Sequence, residues 1–259
     1  MRIAGLDIGS RTIALVELEA GRIADFAVLD TGVNPLDQCQ RLLSGKEYVR
    51  LVATGYGRHL AATHFADEVI SEISASARGV HHLYSDARTV IDVGGQDSKA
   101  IALTPEGRVQ KFEMNDRCAA GTGRFLEMMA LALGLSIGEL GPHALAAQDG
   151  AVPINSMCTV FAESEVVSLI ARGEDTRRIA LGLHRAIGRR IANLARRVGV
   201  HASVVFVGGV ALNPCMQRVL AEELDLPLMV PLEPQIVVAL GAALHAQTYQ
   251  GGVENDRDR

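Results

Sequence analysis

The chain has 259 residues and a formal net charge of −5; 48% of its residues are apolar, only 4% are aromatic, and Trp is absent. This length is enough for one large domain or two modest ones with their own cores. Acidic chains with few aromatic side chains are not typical of proteins that bind nucleic acid or an anionic membrane, so we expect neither partner. The composition fits an α/β enzyme with an aliphatic interior.

The start of the chain, MRIAGLDIGS, enters a predicted strand directly, without the apolar region of a signal peptide. No segment has the roughly 18 uninterrupted apolar residues that a membrane-spanning helix needs. We therefore expect a cytoplasmic protein. In that reducing compartment its four cysteines are not expected to form disulfides.

In chain order, the first half of the prediction begins with a strand hairpin over 3–18 and a strand over 22–30. A helix near 36–44, a strand over 48–53 and a helix through 67–79 follow. The alternation of strands and helices indicates a layered α/β unit.

The second half begins with another hairpin over 89–103 and a strand near 108–114. Helices then follow Cys118 and Cys158, and a long amphipathic helix covers 176–198. A strand that runs into a double-glycine turn and a helix occupies 204–213, and a closing helix covers 234–247.

The two hairpins, IAGLDIGSRTIALVEL and TVIDVGGQDSKAIAL, share a strand, an Asp, a glycine-rich turn and a second strand. We interpret this as a duplication and predict a two-lobed α/β fold. The expected boundaries are a first lobe over 1–87, a second lobe over 88–233, a closing helix over 234–250 that returns to the first lobe, and a frayed tail over 251–259.

Three glycine turns follow apolar strands, at 7–10, 92–98 and 208–211. Glycine lets backbone N–H groups approach phosphate oxygens, and the hydroxyls of Ser10 and Ser98 would add donors. Asp7 and Asp92 could hold Mg²⁺ through water. The P-loop motif and the dinucleotide-binding G-x-G-x-x-G turn are both missing from the sequence.

Cys118 and Cys158 each precede a helix-forming run, and neither has a second cysteine at metal-ligand spacing. An all-cysteine iron–sulfur site needs four thiolates, so two chains would have to meet to build one. Alternatively, both are buried cysteines that pack as small apolar residues, and spacing alone leaves the two readings open. Cys39 and Cys215 are expected to be ordinary packing or surface residues.

The turns DIGS, DVGGQD and GGVALN, in this order, resemble the sugar-kinase, actin and chaperone ATPase superfamily, whose two ribonuclease H-like lobes close on ATP. TGYGR, IDVGGQDSKAI, MNDRCAAGTGRFLE and MCTVFAESEVVSLI narrow the match. They resemble activators of 2-hydroxyacyl-CoA dehydratases, a family that includes ATPase subunits of benzoyl-CoA reductase and reductases of double-cubane cluster proteins.

The resemblance implies an ATP-hydrolysing iron–sulfur activator that passes a low-potential electron to a partner enzyme, in the first place a 2-hydroxyacyl-CoA dehydratase. A benzoyl-CoA reductase-like or double-cubane cluster enzyme is the alternative client. The family resemblance also implies a homodimer, one [4Fe-4S] cluster bridging it through Cys118 and Cys158, and flavodoxin or ferredoxin as the electron donor. A small-molecule kinase of the same superfamily is the competing hypothesis.

By the same resemblance, ATP or ADP binds to residues of both lobes. They are Gly9, Ser10, Arg11 and Thr12 in a first phosphate loop, Gly94, Gly95 and Gln96 in a second, Gly208, Gly209 and Asn213 near the adenosine, and Gln235 beside the nucleotide. We expect Gln96 and Asp97 to position the attacking water and Asp7 and Asp92 to hold Mg²⁺. The chain departs from the family at Arg11, at Ala14, where a lysine is usual, and at Val238, where a glycine is usual.

Two further features have alternative interpretations. A basic segment over 172–197 is either a solvated face or a docking patch for an acidic partner. The pair His81 and His82 is expected in a surface turn, because no third ligand lies at metal spacing.

Overall fold

The computed structural model describes residues 2–155 and 158–248; the expected tail over 251–259 lies outside them. The chain folds into two compact units. Unit 1 contains the described residues up to Ala87, the segment Leu103–Gln110 and the described residues from Leu232 onward. Unit 2 contains Arg88–Ala102 and the described part of Lys111–Pro231.

The first group of elements follows the chain up to residue 83. They are β1 (Arg2–Ile8), β2 (Thr12–Glu19), β3 (Arg22–Asp30), α1 (Pro35–Leu43), β4 (Arg50–Gly55), α2 (Arg58–His64), β5 (Glu68–Val69) and α3 (Glu72–Leu83). The strands form a sheet of order β3-β2-β1-β4-β5. In this sheet β1 is antiparallel to β2 and parallel to β4.

The remaining elements complete both units. They are β6 (Thr89–Val93), β7 (Ser98–Leu103), β8 (Val109–Asn115), α4 (Gly123–Ala132), α5 (Ile137–Leu145), α6 (Thr159–Ala171), α7 (Thr176–Val198), β9 (Val204–Val207), a 3₁₀ turn (Gly209–Leu212), α8 (Pro214–Leu224), β10 (Leu228–Met229) and α9 (Val237–Thr248). The second sheet has the order β10-β9-β6-β7-β8.

The two sheets repeat one topology. In the second sheet β6 is antiparallel to β7 and parallel to β9, as β1 is to β2 and β4 in the first. Even the hairpin register agrees, because Ile8 pairs with Ile13 and Val93 pairs with Ser98. The predicted α/β class is confirmed, and the sequence repeat corresponds to a repeat in three dimensions.

The core of unit 1 depends on glycines that bring backbones together. Helix α9 packs against both β1 and α3. A Cβ on Gly5 of β1 would lie 2.0 Å from the Ala239 carbonyl oxygen, and one on Gly241 would lie 1.7 Å from that of Ala75. These positions therefore accept no side chain without displacing α9.

Helix α7 organises the core of unit 2. It begins at the N-cap Asp175, whose side chain accepts a hydrogen bond from the Arg177 amide, and ends at Gly199, where φ is 81°. Its predicted apolar stripe, including Ile179, Leu183 and Ile187, is buried. The bounds of this helix agree with those predicted.

Other expectations need correction. Helix α3 begins later than predicted, because Glu68 and Val69 pair with β4 and Ser71 caps the helix. His81 and His82 lie in the last turn of α3 and not in a surface turn. The segment Leu103–Gln110, expected in the second lobe, belongs to unit 1, where Gly107 lies against the His81 ring. Helices α2 and α5 were not predicted.

Among the described residues, no single helix is long and apolar enough to cross a membrane. The pair α4 and α5, bent by 78°, meets the requirement by length and composition only.

Candidate functional site

Each unit has a tight turn after its central strand, with an aspartate as the last residue but one of that strand. In unit 1 the Gly9 amide donates to the Thr12 carbonyl at 3.0 Å. In unit 2 the Gly94 amide donates to the Asp97 carbonyl, also at 3.0 Å. The two predicted phosphate loops therefore have the same backbone closure.

A second glycine lies against the aspartate in each unit. Gly55 ends β4 with φ 89°, and a Cβ there would lie 2.5 Å from Oδ1 of Asp7. Gly208 follows β9 with φ 86°, and a Cβ there would lie 2.8 Å from Oδ1 of Asp92. Both carboxylates are thus held closely by backbone, and one or two fixed carboxylates with water and phosphate oxygens is the donor set that Mg²⁺ prefers.

The first loop is anchored to the end of β3. The Thr31 hydroxyl donates to the Gly9 carbonyl at 2.8 Å, and its amide donates to the Arg11 carbonyl at 3.0 Å. The Arg11 side chain forms an exposed ion pair with Asp30 at 3.1 Å. Arg11, which departs from the family pattern, is therefore bound at one side to Asp30, and Thr31 is an anchor that the sequence reasoning missed.

The second loop separates its polar residues into two groups. Gln96 is exposed, whereas Asp97 and Lys99 form an ion pair of 2.7 Å with side chains only 6% and 5% exposed. The Ser98 hydroxyl is buried and donates to the Gly121 carbonyl at 2.5 Å. Only Gln96 is thus placed to meet a bound molecule, while Asp97 and Ser98 maintain the loop and its neighbours.

The second loop also caps α4. The Gly94 carbonyl accepts from the Gly123 amide at 2.9 Å, and the Gly95 carbonyl accepts from the Arg124 amide at 2.8 Å. These are the first two N–H groups of α4, which have no partner inside the helix. The predicted phosphate loop and the start of α4 are therefore joined by backbone hydrogen bonds.

Cys118 lies in the segment before α4, residues 116–122, which we call the Cys118 loop. The Asn115 side-chain amide donates to the Cys118 carbonyl at 2.9 Å, and Thr122 bonds back to the Ala119 carbonyl. Cys118 is partly buried. It does not begin α4 directly, as we had expected, because the N-cap is Thr122 and the loop makes a full turn first.

Cys158 is exposed and is the N-cap residue of α6. Its carbonyl accepts from the Ala162 amide at 2.9 Å. By contrast, Cys39 and Cys215 are fully buried, and burial raises the pKa of each thiol to about 11. The two accessible thiols are therefore the two predicted as iron ligands.

The donor set of one chain is incomplete for an all-cysteine cluster. The described residues contain no group of three or more His, Cys, Asp or Glu side chains that could hold a metal ion. Cys118 and Cys158 provide two accessible thiolate donors, half of what a [4Fe-4S] cluster needs. These residues fit such a cluster only if another chain supplies the other half.

Asn213 has a structural role in the geometry of unit 2. Its Oδ1 accepts from the Met216 amide at 3.0 Å and so caps α8, while its Nδ2 donates to Nε2 of His184 at 3.0 Å. His184 Nδ1 in turn donates to the Ala180 carbonyl at 2.7 Å. Burial lowers the pKa of His184, so the ring is neutral and can accept from Asn213.

The other predicted residues near the adenosine lie in two places. Gly209 begins the 3₁₀ turn that follows β9 in unit 2. Gln235 is half-buried in unit 1, just before α9, and Val238 is buried in the first turn of that helix. Val238 stands where the family usually has glycine and is a packing residue of α9.

A model of the BadF/BadG/BcrA/BcrD ATPase family matches residues 36–246. The chain belongs to this family. It is 42% identical, over 95% of each chain, to the 2-hydroxyisocaproyl-CoA dehydratase activator of Clostridioides difficile. It is also 42% identical to the activator of lactoyl-CoA dehydratase of Anaerotignum propionicum, over 95% of this chain and 97% of that one.

The solved structures agree with this family membership. The structure of the activator of the 2-hydroxyisocaproyl-CoA dehydratase from Clostridium difficile, with bound ADPNP, has a TM-score of 0.89 and 40% identity, over 98% of this chain and 99% of that one. The protein therefore has the α/β actin-like ATPase fold of its family. The family and fold predicted from the motifs are confirmed.

Proposed function

We propose that this family member is an ATP-hydrolysing iron–sulfur activator that transfers a low-potential electron to a 2-hydroxyacyl-CoA dehydratase. The observation that carries the proposal is the contrast among its four cysteines. Cys118 and Cys158 are accessible thiols of unit 2, whereas Cys39 and Cys215 are sealed in apolar cores. The names of the similar activators support the client enzyme.

The twin glycine turns support the ATPase half of the proposal. Backbone N–H groups of Gly9, Gly94 and Gly95 are suited to phosphate oxygens, and Asp7 and Asp92 would hold a hydrated Mg²⁺. The metal would neutralise charge on the phosphates during transfer. Gln96, exposed at the tip of the second loop, would orient the attacking water, and Asp97 would not act as a base because Lys99 neutralises it.

The surface of α6 supports a homodimer. Val160, Phe161 and Val167 are 65%, 66% and 55% exposed on the helix that Cys158 caps. A second copy that covers this apolar surface would bring its own Cys118 and Cys158 to the same place. The bound [4Fe-4S] cluster would supply the one-electron carrier, and the free N–H groups at the start of α6 would favour added negative charge.

The capping of α4 supports a link between nucleotide and cluster within unit 2. A nucleotide that moves Gly94 and Gly95 would move the first two amides of α4, on Gly123 and Arg124. The Cys118 loop ends at the N-cap of that helix. ATP binding would therefore change the position of Cys118 without a long chain of contacts.

The partners follow from the proposed chemistry. Flavodoxin or ferredoxin would supply the electron, and the dehydratase would receive it. A benzoyl-CoA reductase-like or double-cubane cluster enzyme is the alternative client, because the family to which the chain belongs carries that wider name.

Anaerobic purification with iron and sulfide analysis tests the proposal. We expect about four iron atoms per two chains in the wild type and almost none in Cys118→Ala or Cys158→Ala. Cys215→Ala is the matched control and should keep its iron, because that thiol is buried in the core. Sedimentation of the same samples reports the dimer.

Two results would contradict the proposal. One is iron content that stays unchanged in Cys118→Ala. The other is a wild-type protein that takes up no iron after anaerobic reconstitution and turns over ATP only when a small molecule is added, which would favour the kinase.

A further inference from the structure

Unit 2 contains a cavity of about 520 Å³ beside the Cys118 loop. Helix α7 contributes three arginines to its lining, Arg189, Arg190 and Arg197. Asn115 at the end of β8 and Gly121 of the Cys118 loop lie on another side. No acidic side chain of the described residues lines this cavity, which we call the arginine cavity.

The three guanidinium groups have no ion pair and no hydrogen bond from their side chains to any other described residue. This is unusual on α7, where Arg177 pairs with Asp175, Arg178 pairs with Glu174 and Arg196 bonds Asn193. Arg190 is half-buried, and its stem lies 3.2 Å from where a Cβ on Gly121 would be. Cations that are partly withdrawn from water and have no partner create a strong local demand for an anion.

The rest of the lining is not typical of a site for an inorganic ion alone. Met114, Ile154 and Leu194 add apolar surface, and Asn193 adds a side-chain amide. The volume is also several times that of a single phosphate group, since a water molecule occupies about 30 Å³ in the liquid. A mixed lining of this kind fits a molecule with a charged end and an apolar or amide-bearing remainder.

We propose that the arginine cavity binds a phosphorylated organic anion, with the arginine forks on its phosphate groups and the apolar surface on its remainder. Arginine presents planar pairs of donors that match phosphate oxygens, and three such groups suit more than one negative charge. This site is distinct from the glycine turns and does not depend on the proposed function.

Occupancy of this cavity would be felt at the Cys118 loop. Asn115 lines the cavity and donates to the Cys118 and Ala120 carbonyls. Ser98, another lining residue, holds the Gly121 carbonyl. A ligand that displaces either side chain would loosen the loop.

Calorimetric titration of the full-length protein, first saturated with ADP and Mg²⁺, tests the site. The probes are inorganic pyrophosphate and coenzyme A, which carries phosphates on a long amide-bearing chain. We expect both to bind the wild type, and Arg189→Gln/Arg197→Gln to weaken both by about tenfold or more. Both arginines are exposed, so the fold should be kept.

The matched control is Arg185→Gln/Arg218→Gln, which removes the same charge from exposed arginines of unit 2 outside the cavity. It should bind both probes as the wild type does. Equal weakening in the two double variants, or no binding of either probe at millimolar concentration, would overturn the site. Coenzyme A that binds no more tightly than pyrophosphate would overturn the organic part of the proposal.

Discussion

At the scale of single residues, the second loop shows how burial assigns roles to neighbours. Gln96, Asp97 and Ser98 are consecutive polar residues with similar claims on a phosphate. Asp97 is buried against Lys99 and Ser98 against the Gly121 carbonyl, so only Gln96 faces solvent. Buried polar groups must be satisfied locally, which removes them from the chemistry.

The Asp97–Lys99 pair leads to a prediction on stability. Lys99→Met leaves the Asp97 carboxylate buried without its cation, and we expect the free energy of unfolding to fall by about 3 kcal/mol or more. Urea denaturation measures this loss. The double variant Asp97→Asn/Lys99→Met removes the isolated charge and should recover part of it; a single variant as stable as the wild type would refute the structural role.

His184 leads to a prediction on pH. Burial lowers its pKa from the ordinary value of 6.5, so the folded state favours the neutral ring. Above that pH both states are neutral; as the pH falls below it, the unfolded chain takes up a proton first and stability is lost. Between about pH 7.5 and pH 5.5 the wild type should lose more stability than His184→Gln.

The matched control for this pH experiment is His59→Gln, which replaces an exposed histidine. It should lose stability with falling pH as the wild type does. A wild type and a His184→Gln variant with the same pH dependence would show that His184 is not protonated on unfolding.

At the scale of elements, helix contacts are set by glycines that the apolar pattern alone did not single out. Helix α9 is apolar on all sides, which predicts burial but not its neighbours. Gly79 and Gly241 let the backbones of α3 and α9 touch, since a Cβ on Gly79 would lie 2.0 Å from the Val237 carbonyl oxygen. These close approaches select one packing of α9.

Gly241→Ala tests that packing. Its Cβ would lie 1.7 Å from the Ala75 carbonyl oxygen, so α9 must shift, and we expect a loss of about 3 kcal/mol in the free energy of unfolding. Gly138→Ala is the control in α5, where a Cβ meets nothing within 4 Å and should be neutral or stabilising by up to about 1 kcal/mol. Similar denaturation midpoints for the two variants would contradict the close contact.

At the scale of the whole molecule, one topology is used twice with different additions. Both sheets present an aspartate and a glycine turn at equivalent positions, as Asp7 and Asp92 show. Unit 2 alone adds the accessible cysteines, the apolar α6 surface and the arginine cavity. The duplication therefore serves the proposed nucleotide chemistry, and the additions serve the proposed electron transfer.

Nucleotide-linked stability tests the role of Asp92. Saturating Mg²⁺ and ADP should raise the thermal midpoint of the wild type by about 5 °C or more, because ligand binds only the folded state. In Asp92→Asn the part of this shift that depends on Mg²⁺ should disappear. Asp149→Asn, an exposed loop variant of the same charge, should behave as the wild type does; an unchanged shift in Asp92→Asn would remove it from the metal site.

Several features of the protein could be predicted from the sequence because they depend on local patterns. The hairpin repeat, the bounds of α7 and the glycine turns follow from apolar periodicity and from residues with special backbone freedom. The family follows from the same short motifs. These signals lie within a few residues of each other, so they can be read along the chain.

Only the tertiary structure decided which side chains are free to act. The burial of Asp97 with Lys99, the commitment of Asn213 to α8 and His184, and the capping of α4 by Gly94 and Gly95 join residues through contacts that no spacing rule predicts. The arginine cavity likewise needs α7 to meet β8 and the Cys118 loop. Periodicity says that a face is buried, whereas packing in three dimensions decides what it is buried against.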